Sequence, residues 1–268
     1  NQGSVAVEGG TIPYRGTTFN AGLRYNKYRF FNPFISFSQG FTINELGRIV
    51  RTATDSDLRN IQTDPIVTNN YEVGLSSQIS VFNISAAYFI STSKLGVNLT
   101  AREENGYFFP ERAPERIKGF ELALDARISS EIAIGGTYSS VEGKLKREDG
   151  TKTYLGGSRI MPPKATAYII YAPTSAFDLQ LSWVHTGNRN RFERTSSNVY
   201  LGNEGPVRTV NLLNFNGGYK INKLWSVGVG VANLLNEDYY TVYSQFSATD
   251  QNYVKGEGTT MSLNLSYR

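Results

Sequence analysis

One histidine, two methionines and no cysteine leave this chain of 268 residues few routes to covalent or metal chemistry. A disulfide scaffold and a thiolate metal site are both excluded. Ser–His catalysis needs a partnered imidazole, and the single His185 has no motif-level partner. His185 closes an alternating run ending in Trp183, so it reads as an interfacial or loop residue and not as a metal ligand. Gly135-Gly136 and Gly217-Gly218 fall inside strand-like alternation and precede no helix, so no phosphate-cradling loop is expected. An enzyme is therefore not expected, nor a cofactor held by the protein's own side chains.

The chemistry that remains is recognition. Three clusters combine arginines or aromatic rings within polar stretches: Tyr107, Phe108, Phe109 with Arg112; Arg189, Arg191, Phe192 and Arg194; and Tyr239, Tyr240 and Tyr243. Guanidinium groups and ring faces suit an anionic, flat-faced ligand. Two plainer readings stand beside this one. The rings could belong to a membrane-interface girdle, and the arginines could meet the phosphates of lipopolysaccharide.

The elements that must carry these clusters are strands. Met261, Leu263, Leu265 and Tyr267 alternate with Ser262, Asn264, Ser266 and Arg268, the period-2 pattern of a strand with one apolar face. Trp225, Val227, Val229 and Val231 alternate with Ser226, Gly228, Gly230 and Ala232. The same pattern recurs near 19–25, 34–39, 71–76, 82–90, 120–128, 132–139, 165–171, 177–183 and 211–221, which gives eleven strands. No apolar run reaches the roughly 18–20 residues of a membrane helix. A transmembrane barrel escapes that test, because only every second strand residue meets lipid.

Alternation alone also fits a soluble Gly-rich sandwich, so the connections decide. Short turns near 26–32, 77–80, 129–131, 172–176 and 222–224 alternate with long polar links near 42–69, 91–116, 141–160, 185–208 and 234–257. An up-and-down membrane barrel does this, because periplasmic turns are short and extracellular loops long; a sandwich has no reason to. Tyr25, Tyr88, Tyr138, Tyr171, Trp183, Trp225 and Tyr267 fall at the ends of the apolar faces, as interfacial girdles do. The small, hydrophilic second face suits a lumen holding water or a polar plug. The expected fold is an all-β, antiparallel, up-and-down transmembrane β-barrel. Its eleven strands would be half of a 22-stranded, plugged transporter, since bacterial single-chain barrels have even strand numbers. The net charge of +4 is spread along the chain and suggests no nucleic acid.

From Ser38-Gln39-Gly40-Phe41 onward the chain resembles the TonB-dependent receptors of the bacterial outer membrane. Asn70-Tyr71-Glu72-Val73-Gly74-Leu75 is similar to the family's NYE-x-G strand start. Arg116-Ile117-Lys118-Gly119-Phe120-Glu121 is similar to its R-x-x-G-x-E strand, and Asn233-Leu234-Leu235-Asn236-Glu237-Asp238-Tyr239-Tyr240 to the segment leaving its penultimate strand. Gly256 to Arg268 looks like the closing strand, although members usually end on an aromatic residue. The resemblance implies that residues 1–268 are the C-terminal part of the barrel, with the N-terminal plug and first strands outside this sequence. It also implies import of a ferric siderophore energised by TonB, with iron carried in the chelate. Gly40 to Arg48 looks more like siderophore than haem receptors. The implied partners are the siderophore, the plug and upstream strands, TonB through the plug, and outer-membrane lipid and lipopolysaccharide. The resemblance further implies that Glu72 and Glu121, on the polar face, meet arginines of the plug; solvated lumen carboxylates are the alternative. A passive or adhesive, porin-like barrel is the competing function.

Overall fold

A computed structural model describes residues 13–43, 65–94, 100–104, 107–111, 114–147, 149–156, 159–191, 206–245 and 254–267, with 6, 10, 11 and 56 singly. Its strands are β1 (Asn20–Arg24), β2 (Asn32–Thr42), β3 (Ile66–Ile79), β4 (Phe82–Ser93), β5 (Thr100–Glu104), β6 (Tyr107–Glu111), β7 (Glu115–Arg127), β8 (Ile132–Lys146), β9 (Lys152–Tyr154), β10 (Lys164–Thr174), β11 (Phe177–Thr186), β12 (Val210–Lys220), β13 (Trp225–Ala232) and β14 (Thr260–Tyr267). Twelve of them form one antiparallel sheet, eleven in the order β1-β2-β3-β4-β7-β8-β10-β11-β12-β13-β14 and β9 attached to β8. Those eleven are the segments expected from alternation, each next to its neighbour along the chain. Among the described residues β1 and β14 are the two edges of this sheet, and it is not closed.

Register carries the alternation from strand to strand. Met261, Val231, Phe215, Leu181, Ile169, Ile134, Ala126, Phe82 and Ile79 are successive cross-strand partners, so one face bears a continuous apolar band. The opposite face runs through Asn264, Gly228, Gly218 and Asp178. Among the described residues no second layer covers the band: Val73, Ile169 and Val229, on interior strands, are 52%, 44% and 43% exposed. A water-soluble sandwich would bury such residues, whereas a barrel leaves them for lipid. Apart from Ala126, shielded among larger neighbours in the band, the buried apolar residues collect where the long connections lie, at Ile66, Leu145, Leu155, Ile160, Val207 and Val210.

The short turns close with minimal chain. Ser129 Oγ accepts from the backbone N–H of Glu131 and Ile132, both at 3.1 Å. Asn222 Oδ1 accepts from Leu224 and Trp225 at 2.8 and 3.0 Å. One polar side chain thereby replaces the partners a tight turn removes from the ladder.

The structure extends the sequence reading in two ways. β5 and β6 form a separate hairpin, and β9 pairs with the end of β8, within stretches expected to be loops. β7 and β8 also run beyond 120–128 and 132–139, to Glu115 and Lys146. The apolar signal stops earlier because the outward residues there are Arg116, Lys118, Glu142 and Lys144, so pairing continues after lipid contact has ended.

Candidate functional site: the loop end and the lumen wall

At the loop end, β8 runs on to Lys146, beyond its pairing with β10, which stops at Ser139, and the chain from β9 to β10 folds back over the inner face of β7 and β8. Leu155 and Ile160 pack with Leu145 against Ile117 and Val141. Gly143 permits this: a Cβ there would lie 2.5 Å from Leu155 Cδ1. The fold-back is locked by Arg159, whose guanidinium donates to both oxygens of Glu115 at 2.5 and 2.8 Å. Beside it, Arg189 Nη2 donates to Glu142 Oε1 at 3.3 Å and to the carbonyls of Leu155 and Arg191, both at 3.0 Å. Arg191 Nη1 reaches the other Glu142 oxygen at 3.4 Å and stays 63% exposed.

The connection from β13 to β14 is organised by two asparagines at positive φ, Asn233 (50°) and Asn236 (52°). Asn tolerates this left-handed region better than branched residues do. Asn233 Nδ2 donates to the carbonyls of Glu237 and Glu257 at 2.9 and 3.1 Å, and Asn233 Oδ1 accepts from Glu237 N at 2.8 Å. Asn236 Oδ1 accepts from Thr259 N at 3.0 Å. Both limbs of the connection are thus clamped at its root. Its one-turn helix, Val242–Gln245, is tied to the preceding connection, where Gln245 Oε1 accepts from Arg208 N at 2.9 Å.

The recognition residues expected from sequence distribute unevenly over this end. Tyr107, Phe108 and Phe109 lie on β6; Arg112, Phe192 and Arg194 fall outside the described residues. Arg189 is buried in the network just described, whereas Arg191 faces outward from it. Tyr239 and Tyr240 are half-buried against the returning limb, where Tyr240 bridges Lys255, and Tyr243 is 83% exposed. His185 stacks on Trp183 with ring centroids 5.4 Å apart, and its Nδ1 lies 2.8 Å from Asn211 Oδ1. That places it on the outward face with the girdle. Glu115, Glu142 and Arg159 were not singled out from sequence: their partners lie 44 to 49 residues away, beyond any local pattern.

Glu72 and Glu121 both lie on the polar face. Glu72 pairs with Phe89 and Glu121 with Ala87 on the intervening β4, so the two residues sit two strand spacings apart and two residues offset along the strand, roughly 12 Å between backbones. Glu72 accepts a long hydrogen bond from Ser36 at 3.4 Å. Among the described residues neither carboxylate takes part in the ion pairs observed.

A meandering antiparallel sheet with an uncovered apolar band, a polar reverse face and structured loops at one end defines the wall of a transmembrane β-barrel. The family described as "TonB dependent receptor-like, beta-barrel" matches residues 1–234, and the chain belongs to that family. It is 22% identical to the rhizobactin receptor of Rhizobium meliloti (strain 1021), over 97% of this chain and 36% of the relative. It is 24% identical to the ferric aerobactin receptor of Klebsiella pneumoniae, over 97% of this chain and 37% of the relative. The chain thus spans little more than a third of the length of these curated relatives. Among solved structures, the copper transporter OprC superposes with a TM-score of 0.74 at 15% identity, covering 92% of this chain and 39% of that one. At that identity the likeness concerns the fold.

Proposed function

We propose that the chain is the loop-bearing wall of an outer-membrane receptor that imports a ferric siderophore, energised through TonB. The observation that carries this is the membership of the TonB-dependent receptor barrel family, together with two relatives named for siderophores. In this reading the loop end captures the chelate. Arg191 and Tyr243 are candidate contacts because their side chains stand exposed there, with Tyr107, Phe108, Phe109 and Arg112 as further candidates. Arg189 acts by holding Arg191 and Glu142 in place. The edges of β1 and β14 pair with further strands of the longer protein, since unpaired edges are aggregation-prone. Glu72 and Glu121 face a plug in the closed lumen, where displacement of water leaves their charges in need of cationic partners.

The test is uptake of radioiron by cells whose only siderophore receptor is the full-length protein, with and without TonB. A panel of ferric siderophores including aerobactin serves as substrate. Uptake of at least one chelate that vanishes without TonB is the expected result. Uptake indifferent to TonB would favour a passive barrel.

A further inference from the structure

We propose that Gln245 is a positioning residue: it holds Arg191 and Tyr243 at one spacing before any ligand arrives, so that the two meet a chelate as a preformed pair. The proposal rests on the receptor reading above and adds how that site reaches its selectivity. Arg191 belongs to the β11–β12 connection and Tyr243 to the β13–β14 connection. Two long connections could carry their side chains independently of each other. Here hydrogen bonds run from one to the other and make them a single unit.

On the first connection the backbone under Arg191 is held by side chain and main chain alike. The Arg191 carbonyl accepts from Arg189 Nη2 at 3.0 Å, and the same guanidinium holds the Leu155 carbonyl and Glu142. Arg189 and Val207 exchange both backbone hydrogen bonds, at 2.9 and 2.8 Å, which joins the outgoing limb to the returning one. The next residue, Arg208, donates its N–H across to Gln245 Oε1 at 2.9 Å. Gln245 is only 2% exposed, and its Nε2 donates to the Tyr240 carbonyl at 3.0 Å. Its helix is bound into both limbs of its own connection. Gln245 N donates to the Thr241 carbonyl, while Thr241 N and Ser244 Oγ both donate to the Val254 carbonyl. Tyr243 stands on this helix, two residues before Gln245.

A buried primary amide suits such a crossing because it accepts and donates at once. Opening it would leave buried polar groups unpaired, so the crossing resists fluctuation. Both candidate contacts thus combine a fixed backbone with an exposed side chain, 63% exposed for Arg191 and 83% for Tyr243. A ligand then orders two side chains and not two loops. A fixed spacing also favours chelates whose anionic and flat groups match it over those that do not.

The experiment uses the full-length protein, without ligand, spin-labelled on the exposed pair Asn190→Cys/Tyr243→Cys and read by pulsed electron double resonance. A narrow distance distribution is expected. Gln245→Met, similar in size but lacking both amide hydrogen bonds, should broaden it. A control pair, Asn190→Cys/Thr209→Cys, lies within the β11–β12 connection and should stay narrow in both backgrounds. Gln245→Glu should be narrow at pH ~4, where a protonated carboxyl still accepts and donates, and broad at pH ~8, where it is ionised. In unlabelled protein, Gln245→Met should weaken the best-bound ferric siderophore by about tenfold and shrink the affinity differences across the panel. An unbroadened Gln245→Met distribution, equal broadening of the control pair, or unchanged affinity overturns the positioning role. Failure of wild type to bind any chelate would count against the proposed function. The ligand-free spacing would still decide whether Gln245 couples the two connections.

Discussion

Glu115 and Arg159, 44 residues apart, meet in a two-pronged ion pair that fastens the β9–β10 connection onto the inner end of β7. The Glu115 side chain is only 5% exposed and that of Arg159 18%. Removing one partner of a mostly buried pair strands the other charge, at a cost of roughly 3–5 kcal/mol when burial is complete. Arg159→Ala should therefore release the connection, lowering its local stability by about 2–4 kcal/mol, while the strands hold. Hydrogen exchange should show faster amides at Thr153–Ile160 and little change in β10–β14. Equal acceleration throughout the sheet would show that the pair supports the barrel and not the loop.

Asn233 clamps the β13–β14 connection from a left-handed backbone position. Asn233→Ala removes its three side-chain hydrogen bonds and leaves at φ 50° a residue that tolerates the left-handed region less well than asparagine. Buried groups left unpaired cost about 1–3 kcal/mol, and the left-handed conformation adds about 1–2 for an alanine. Faster tryptic cleavage after Lys255 is expected. Asn233→Gly, which relieves only the backbone term, should fall between alanine and wild type. Cleavage of the glycine variant as fast as the alanine variant would assign the effect to the hydrogen bonds alone.

These two sites show where sequence legibility ended. All eleven wall strands were readable because lipid demands an apolar residue at every second position, a constraint each strand carries within itself. The outer ends of β7 and β8 were not, because once clear of lipid their outward residues become charged and the period-2 signal disappears. Arg189 and Arg191 were readable as a loop cluster. Their division into one buried guanidinium and one exposed was not, since it depends on Glu142 and Leu155, brought there by folding. Asn233 stood out within a motif, but its clamp becomes visible only when Glu257 returns beside it.

Glu72 and Glu121 supply a test of the lumen. If a plug arginine meets each carboxylate, the combined Glu72→Ala and Glu121→Ala protein should show faster hydrogen exchange in the plug with an intact barrel. The expected effect is about 1–3 kcal/mol of plug docking free energy, the range for charge-assisted hydrogen bonds. Unchanged plug protection would leave both as solvated carboxylates.

The turn after β8 should be acid-sensitive in a defined direction. The Thr151 hydroxyl, then the Thr151 backbone N–H, donate to Asp149 and hold its carboxyl below the ordinary value of 3.8. A depressed folded pKa means that the contribution to the turn is present above pH 3.8 and lost as pH falls through the lower, folded value. A ¹³C carboxyl titration should place Asp149 below ordinary aspartates, and Thr151→Val should move it partway back up. Coincidence of the two curves would remove the hydroxyl as the main cause.

The register of β14 predicts which side of the closing strand meets lipid. Leu263 and Leu265 pair with Val229 and Val227, and Ser262 and Asn264 with Gly230 and Gly228. Both faces are open in the isolated sheet, so exposure alone does not distinguish them; cross-strand chemistry does. An apolar row of Leu and Val suits hydrocarbon, while Ser and Asn beside glycines suit a wet lumen, and a one-residue slip would exchange the two completely. Single cysteines at 263 and 265 in the full-length protein should react with a membrane-partitioning maleimide, and those at 262 and 264 only with a water-soluble one. The neighbouring Trp225–Tyr267 ring pair, 4.9 Å between centroids, anchors this register at the turn end. Strong lipid-phase labelling at 262 or 264 with none at 263 or 265 would mean that β14 is inverted in the membrane.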